Sequence, residues 1–289
     1  MISRRAVLTA SLAPLALRSP SWAVGDRGAA VQRACAELEG RHGGRLGVAI
    51  QDTSGITRLA YRGSERFPLC STFKVLAAGA ILARVDEGRE KLARRVVYGR
   101  GDLVTYSPVT ERHADGSGLT MAEICEAAVT RSDNTAGNLM LDSLGGPSGL
   151  TAYLRSLGDG STRLDRRETA LNEALPGDPR DTTTPLAMLD TLGSLVLGSA
   201  LSAASRAQLA AWLLASTTGA KRLRAGVPAQ WRVGDKTGSG DDGTTNDVAV
   251  LWPPERPPIL VAAYYTGSQA SGDERSAVLA EVGRLASAP

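Results

Sequence analysis

Strand-like segments sit at the two ends of the chain and helical ones in the middle. Near the N-terminus, "RLGVAIQDT" (45–53) and "ITRLAYRG" (56–63) are split by "SG", a hairpin signal. Such segments return only at "WRVGDKTG" (231–238), "NDVAVLWP" (246–253) and "PILVAAYYTG" (258–267). A lone hairpin is marginal in water, so the two ends must complete one sheet. The expected fold is mixed α/β: an antiparallel five-stranded sheet flanked by terminal helices over 25–44 and 271–287. Between its strands the helical patterns 71–86, 120–131, 134–145, 148–158, 184–198 and 202–216 predict an inserted all-helical domain. The expected boundaries are 24–65 and 216–289 for the α/β part and 66–215 for the helical part. A cleft between the two is a common place for a site.

The 289 residues suit one large domain or two intimate ones. Hydrophobic residues make up 43% and charged ones 22%, a globular composition. No apolar run reaches 18 residues, so the mature form is not expected to enter a membrane. Residues 1–23 read as a cleavable leader: basic "MISRR", apolar "AVLTASLAPLAL" and small residues in "SWA". Arg4-Arg5 is similar to a twin-arginine export signal, so a periplasmic or secreted protein is expected. Removing Arg4, Arg5 and Arg18 with the leader takes the formal charge from +3 to zero. No basic excess then argues for nucleic acid. Cys35, Cys70 and Cys125 cannot all pair with one another. Two histidines, His42 and His113, are too few for a zinc site without several carboxylates. Neither metal nor cofactor is expected.

The chemistry begins at "CSTFK" (70–74), which opens the apolar run "VLAAGAILARV". Ser71 and Lys74 are one turn apart on one helix face. A serine hydroxyl needs a base in contact. Lysine serves when desolvation lowers its pKa, and an apolar helix desolvates it. The helix start also offers backbone N–H groups to an oxyanion. Further along stand "SDN" (132–134) at a helix start and "KTG" (236–238) at a strand end. Singly, these read as an N-cap and a cationic sheet edge. Between them, "RLDRRETALNEALPGDPRDTTTP" (163–185) is a charged loop with one short helix-like piece, "TALNEAL". Its length suggests an Ω-loop whose neck Arg166 and Asp181 would pin.

In this order the motifs resemble those of the class A serine β-lactamases. The resemblance runs from about residue 30 to the C-terminus and includes "STFK", "LVTYSPVTERH", "SDNTAGN", "RRETALN" and "DKTGSG". It implies the fold of serine β-lactamases and penicillin-binding proteins, hydrolysis of penicillins and cephalosporins through a serine acyl-enzyme, and antibiotic resistance by a monomer. Ser71 would be the nucleophile, with Lys74 between Ser71, Ser132 and Glu168. Ser132 would relay a proton to the leaving nitrogen. Glu168 and Asn172 would hold the hydrolytic water. Lys74 and Glu168 both remain candidates for the acylation base. Backbone N–H groups of Ser71 and Ser239 would form the oxyanion hole. Lys236, Thr237 and Ser239 would meet the substrate carboxylate, and Asn134 and Tyr106 would flank the substrate. Many members carry an arginine on the strand after "KTG", where this chain has Thr245. A minority carry it earlier, where "KRLRAG" offers Arg222, with Arg224 as a rival.

Three departures stand out. Thr169 replaces the proline that often follows the loop glutamate in a cis peptide. Ala78 replaces the usual partner of Cys125. Gly240 replaces the cysteine that some carbapenemases bridge to the position of Cys70, leaving Cys70 a small buried residue. Asp241 and Asp242 make the nearby rim acidic. The competing readings are a penicillin-binding D,D-carboxypeptidase or transpeptidase, and a non-hydrolytic β-lactam sensor. Both form the acyl-enzyme, but the first generally lacks the Glu/Asn pair and the second needs a relay partner. Under all three readings Ser71→Ala abolishes covalent labelling by fluorescent penicillin in a protein that stays folded. Labelling at the wild-type level would overturn the assignment of Ser71.

Overall fold

The computed structural model describes residues 22–55 and 58–288. The leader read in residues 1–23 lies almost wholly outside the described residues. In chain order, the first elements are α1 (Trp22–His42), β1 (Arg45–Asp52), β2 (Arg58–Tyr61), β3 (Phe67–Pro68) and α2 (Phe73–Asp86). Next come β4 (Arg95–Val96), β5 (Leu119–Thr120), α3 (Met121–Thr130), α4 (Asn134–Leu144), α5 (Gly146–Ser156) and β6 (Thr182–Thr183). The chain continues with α6 (Pro185–Val196), α7 (Ala203–Leu214), α8 (Leu223–Gly226), β7 (Arg232–Ser239), β8 (Thr245–Trp252), β9 (Ile259–Thr266) and α9 (Gly272–Ser287). The long elements follow the sequence expectation closely. The short α8 and the two-residue strands carry too little periodicity to be read.

β1, β2, β7, β8 and β9 form one antiparallel sheet in the order β2-β1-β9-β8-β7. N- and C-terminal strands therefore pair directly, with β9 between β1 and β8. Side chains alternate across the sheet. Leu260, Ala262 and Tyr264 of β9 join the core built with the middle helices, whereas Val261, Ala263 and Tyr265 join the core under α1 and α9. All of β9 is buried, which explains why "ILVAAYYT" reads as an unbroken apolar run.

Inside the helical part, α2 is buried from Phe73 to Ala83 and packs against α3, α4, α5, α6 and α7. A helix apolar on every side belongs in a core. Side-chain caps set several helix starts. Thr120 and Glu123 make a reciprocal capping box at α3, as do Ser271 and Glu274 at α9. The Glu168–Thr169 peptide bond is cis.

The 163–181 segment forms a closed loop. β3 pairs with β6, and the Leu69 N–H donates to the Asp181 carbonyl at 2.8 Å. Arg166 Nε donates to Asp181 Oδ2 at 2.6 Å, and the N–H groups of Asp165 and Arg166 reach Asp181 Oδ1 at 2.7 and 2.9 Å. The neck is thus tied through the two residues that the sequence singles out. "TALNEAL" is not a full helix; only Ala170–Asn172 makes a 3₁₀ turn. Asn172 turns inward to the Glu168 carboxylate, and Ala174 at φ 51° ends the helical path.

α8 touches α9 at backbone distance. A Cβ on Gly283 would lie 2.2 Å from the Leu223 carbonyl oxygen, and one on Gly226 1.8 Å from that of Ala280. Backbone cannot rotate away, so overpacking outweighs the better helix propensity of alanine. Gly283→Ala should cost roughly 1–3 kcal/mol, seen in a melting experiment as a Tm lower by about 2–12 °C. An unchanged Tm would show that α8 yields freely.

Candidate active site

Cys70 adopts φ 44°, a left-handed conformation costly for a residue with a Cβ. This sharp turn leads into a 3₁₀ turn, Cys70–Thr72, and then into α2. Ser71 therefore sits at the turn and Lys74 in the first turn of α2. Both are buried, and Lys74 has no exposed surface.

Four oxygen atoms meet the Lys74 ammonium. Nζ lies 2.8 Å from Ser71 Oγ, 2.9 Å from the Ser132 carbonyl oxygen and 2.6 Å from Asn134 Oδ1. It also lies 2.9 Å from Glu168 Oε1, a fully buried ion pair. Burial pushes the Lys74 pKa below the ordinary lysine value, and Glu168 pulls it back up. Ser71 Oγ donates to the same Glu168 oxygen at 3.2 Å. Ser71, Lys74 and Glu168 thus form a closed triangle of contacts. The second Glu168 oxygen accepts from Asn172 Nδ2 at 2.5 Å, while Asn172 Oδ1 is buried without a partner.

The three residues of "SDN" divide the work. Ser132, at φ 57°, gives its carbonyl to Lys74, and its hydroxyl accepts from Lys236 Nζ at 3.0 Å. The motif alone places Lys74 beside Ser132 without distinguishing carbonyl from hydroxyl. Asp133 is the N-cap of α4, accepting from the Ala136 N–H at 2.8 Å. Its carboxylate also accepts from Val109 N and Thr110 N at 2.9 and 3.0 Å, which ties down the loop carrying Tyr106. Asn134 accepts from Lys74 and donates Nδ2 to the Thr105 carbonyl at 2.8 Å. Capping and site-building are therefore both present, on different residues of one motif.

On the opposite wall, β7 brings Lys236, Thr237 and Ser239 along the cleft. Lys236 is fully buried, and its pKa falls well below the ordinary value, through burial first and the nearby Lys74 second. Arg222 donates Nη1 to the Gly238 and Asn246 carbonyls at 2.8 and 2.7 Å, and Nη2 to Ser239 Oγ at 2.7 Å. Arg224 points elsewhere, onto the buried Asp235 carboxylate. Tyr106 is 58% exposed at the rim. Ser71, Tyr106, Ser132, Asn134, Asn172, Thr237, Ser239 and Arg222 line one cavity of about 360 Å³.

Three contributors have no role assigned from the sequence, although two of them lie within "SDNTAGN". Thr218 lines the cavity with its hydroxyl 2.6 Å from that of Thr237, but it lies in a loop without a motif. Asn138 clamps the Glu168 backbone, donating to its carbonyl at 3.0 Å and accepting from its N–H at 2.9 Å. Its spacing of four from Asn134 on α4 is a usable signal. Gly137 lets α4 approach Lys74: a Cβ there would lie 2.8 Å from Lys74 Cε. Cys35, Cys70 and Cys125 are all unpaired and buried.

A serine in contact with a buried lysine and a buried carboxylate, opening on a cavity beside a sheet edge, is an arrangement suited to nucleophilic acyl chemistry. Residues 30–288 match the model of the β-lactamase enzyme family, and the chain belongs to that family. It is 49% identical over 283 residues to β-lactamase OXY-1 of Klebsiella oxytoca, covering 98% of this chain and 96% of the relative. Among solved structures, an ancestral (GNCA) class A β-lactamase shares 66% identity at a TM-score of 0.87, over 88% of this chain and 98% of that one. The putative class A β-lactamase PenP from Rhodopseudomonas palustris shares 60% identity, also at a TM-score of 0.87, over 89% of this chain and 98% of its own.

Gly137→Ala should disturb the chemistry more than the fold, since its methyl would press on a buried lysine chain. A displacement of about 1 Å at a reacting group can cost on the order of 10²-fold in rate. Stopped-flow acylation by a penicillin is expected to slow by about 10- to 100-fold while the protein stays folded. An unchanged acylation rate would show that Lys74 tolerates the shift.

Proposed function

We propose that Ser71 attacks the β-lactam carbonyl, and that the Ser71–Lys74–Glu168 triangle carries its proton. The enzyme is a class A β-lactamase, a hydrolase of β-lactams whose activity confers antibiotic resistance. Two groups lie within reach of the Ser71 proton: the Glu168 carboxylate, and the Lys74 amine once its own proton has passed to Glu168. These are themselves 2.9 Å apart, so a proton leaving Ser71 enters the same pair by either route. Backbone N–H groups of Ser71 and Ser239 take the oxyanion. Ser132 Oγ, held by a hydrogen bond from Lys236, gives its proton to the leaving nitrogen and takes one back from the Lys74–Glu168 pair, so the proton lost by Ser71 ends on that nitrogen.

Hydrolysis of the acyl-enzyme falls to Glu168. Asn172 holds one carboxylate oxygen and leaves its own buried Oδ1 as an acceptor. A water between these two groups would be aligned and deprotonated toward the ester. Lys236, Thr237, Ser239 and Arg222 receive the substrate carboxylate, with Tyr106 and Asn134 along its flank. The single observation carrying this reading is that Glu168 touches both Ser71 and Asn172. The cleft follows the division into an α/β unit (24–65 and 216–289) and a helical unit (66–215). Export through the leader read in residues 1–23, by the Arg4-Arg5 route, and action as a monomer complete the reading. Among the described residues, no helix is long and apolar enough to cross a membrane.

Glu168→Ala separates the two half-reactions. Lys74 still takes the Ser71 proton, but no carboxylate activates water. General-base catalysis contributes about 10²–10⁴-fold, so deacylation should stall by that factor. Intact-protein mass spectrometry after mixing with a penicillin is expected to show a long-lived adduct of one drug mass on the variant. The wild type should show little at steady state. A transpeptidase or a sensor would hold the adduct without any substitution. Turnover by Glu168→Ala at the wild-type rate would remove Glu168 from the role of base.

A further inference from the structure

The loop 216–222, which carries Thr218 and Arg222, and the start of α8 stand on two buried carboxylates. Asp235 accepts from Ser216 Oγ at 3.0 Å and from Arg224 Nε at 3.1 Å. Gly219 sits directly above it: a Cβ there would lie 2.0 Å from Asp235 Oδ2. Asp247, on the adjoining strand β8, has no exposed surface. Its Oδ2 accepts from the Leu223 N–H at 3.2 Å, and its Oδ1 is buried without a partner. In the β7–β8 register Asp247 faces Thr237, so the two side chains lie on one side of the sheet. Arg222 is the residue just before the amide that Asp247 holds. Its backbone leaves the helical region, with φ −105° and ψ −135°, and its own side chain does not cap the turn.

We propose that Asp247 is a positioning residue for recognition of the substrate carboxylate, acting by holding the Leu223 amide and so fixing the turn from which Arg222 reaches Ser239. This rests on the reading above, in which Arg222 supports that carboxylate. Arg222 and Asp247 attract each other through space, but no hydrogen bond joins them. The Arg222 guanidinium spends its hydrogen bonds on Gly238, Asn246 and Ser239. Burial, and then the Asp235 carboxylate, push Asp247 well above the usual carboxylate range. It behaves toward the turn as an acceptor that asparagine can imitate.

The test compares Asp247→Ala, Asp247→Asn, Arg222→Ala and the double variant Arg222→Ala/Asp247→Ala, on a penicillin and on its carboxylate methyl ester. Asp247→Ala should raise KM for the penicillin roughly tenfold and change kcat by less than about threefold, with a much smaller change for the ester. Asp247→Asn should restore KM to within about threefold of wild type. The double variant should be no worse than Arg222→Ala, because Asp247 works through that residue. If Arg222→Ala leaves KM unchanged, the role of Arg222 fails and this inference falls with it. If Arg222→Ala raises KM but Asp247→Ala does not, or if the two losses multiply, Asp247 is not its positioner and the role of Arg222 stands without it. Asparagine as damaging as alanine would also overturn the inference, by assigning Asp247 to charge balance. Should Asp247→Ala fail to fold, Asp247→Leu, similar in size and without an acceptor, replaces it in the same comparison, with the same outcomes supporting or overturning the inference.

Discussion

A lysine ammonium with no exposed surface cannot stay charged unless fixed dipoles and a counter-charge replace its water. In this protein that requirement gathers the site. Lys74 draws a side chain and a carbonyl from the "SDN" turn, a hydroxyl from its own helix start and a carboxylate from the Ω-loop. These partners come from three segments distant in sequence. Each must be held in turn. Asn138 fixes the backbone of Glu168, Asp133 ties the Tyr106 loop to α4, and the Asp181 neck closes the loop that delivers Glu168. Removing Glu168 would take away the counter-charge of the buried ammonium, a larger loss than that of one surface hydrogen bond.

Lys236 repeats the arrangement on the other wall with a different balance. The strongest charge acting on it is Lys74, a like charge, which adds to burial in depressing its pKa. Arg222 also lies close by. The cleft therefore concentrates positive charge along β7 while Asp235 and Asp247 sit behind it, away from solvent. A ligand carboxylate entering from the open side meets the cations first. In the desolvated cleft that attraction is stronger than it would be in water. The proposed substrate orientation follows from this layering: carboxylate toward Lys236 and Arg222, acyl carbon toward Ser71.

The broad fold was legible because it is written in long periodic signals. The five strands and the major helices show alternation, unbroken apolar runs or helical spacing over eight or more residues, apart from the short β2. The buried α2 is visible as "VLAAGAILARV". The motif residues were legible through resemblance, since "SxxK", "SDN" and "KTG" each admit an ordinary structural reading. What stayed hidden depends on three-dimensional approach. Gly137 matters because α4 runs against Lys74, and Thr218 because its loop meets Thr237. The two arginines of "KRLRAG" differ only in what lies beneath each. Asp235 takes Arg224, and Arg222 is left to reach Ser239. Local sequence carries no information about that difference.

Gly240 shows how tightly the three segments are coupled. A Cβ at this position would lie 2.6 Å from the Asn172 carbonyl oxygen and 2.7 Å from Cys70 Sγ. The Asp241 N–H donates to that same Asn172 carbonyl at 2.9 Å. The end of β7 thus presses on the Ω-loop and on the residue before the nucleophile at one point. Burial raises the Cys70 pKa, so its thiol stays a neutral packing group at this junction. No disulfide joins the segments, since all three cysteines are unpaired. Register between the β7 edge, Asn172 and Ser71 is instead kept by backbone contact, and its closeness leaves no room for a side chain at residue 240.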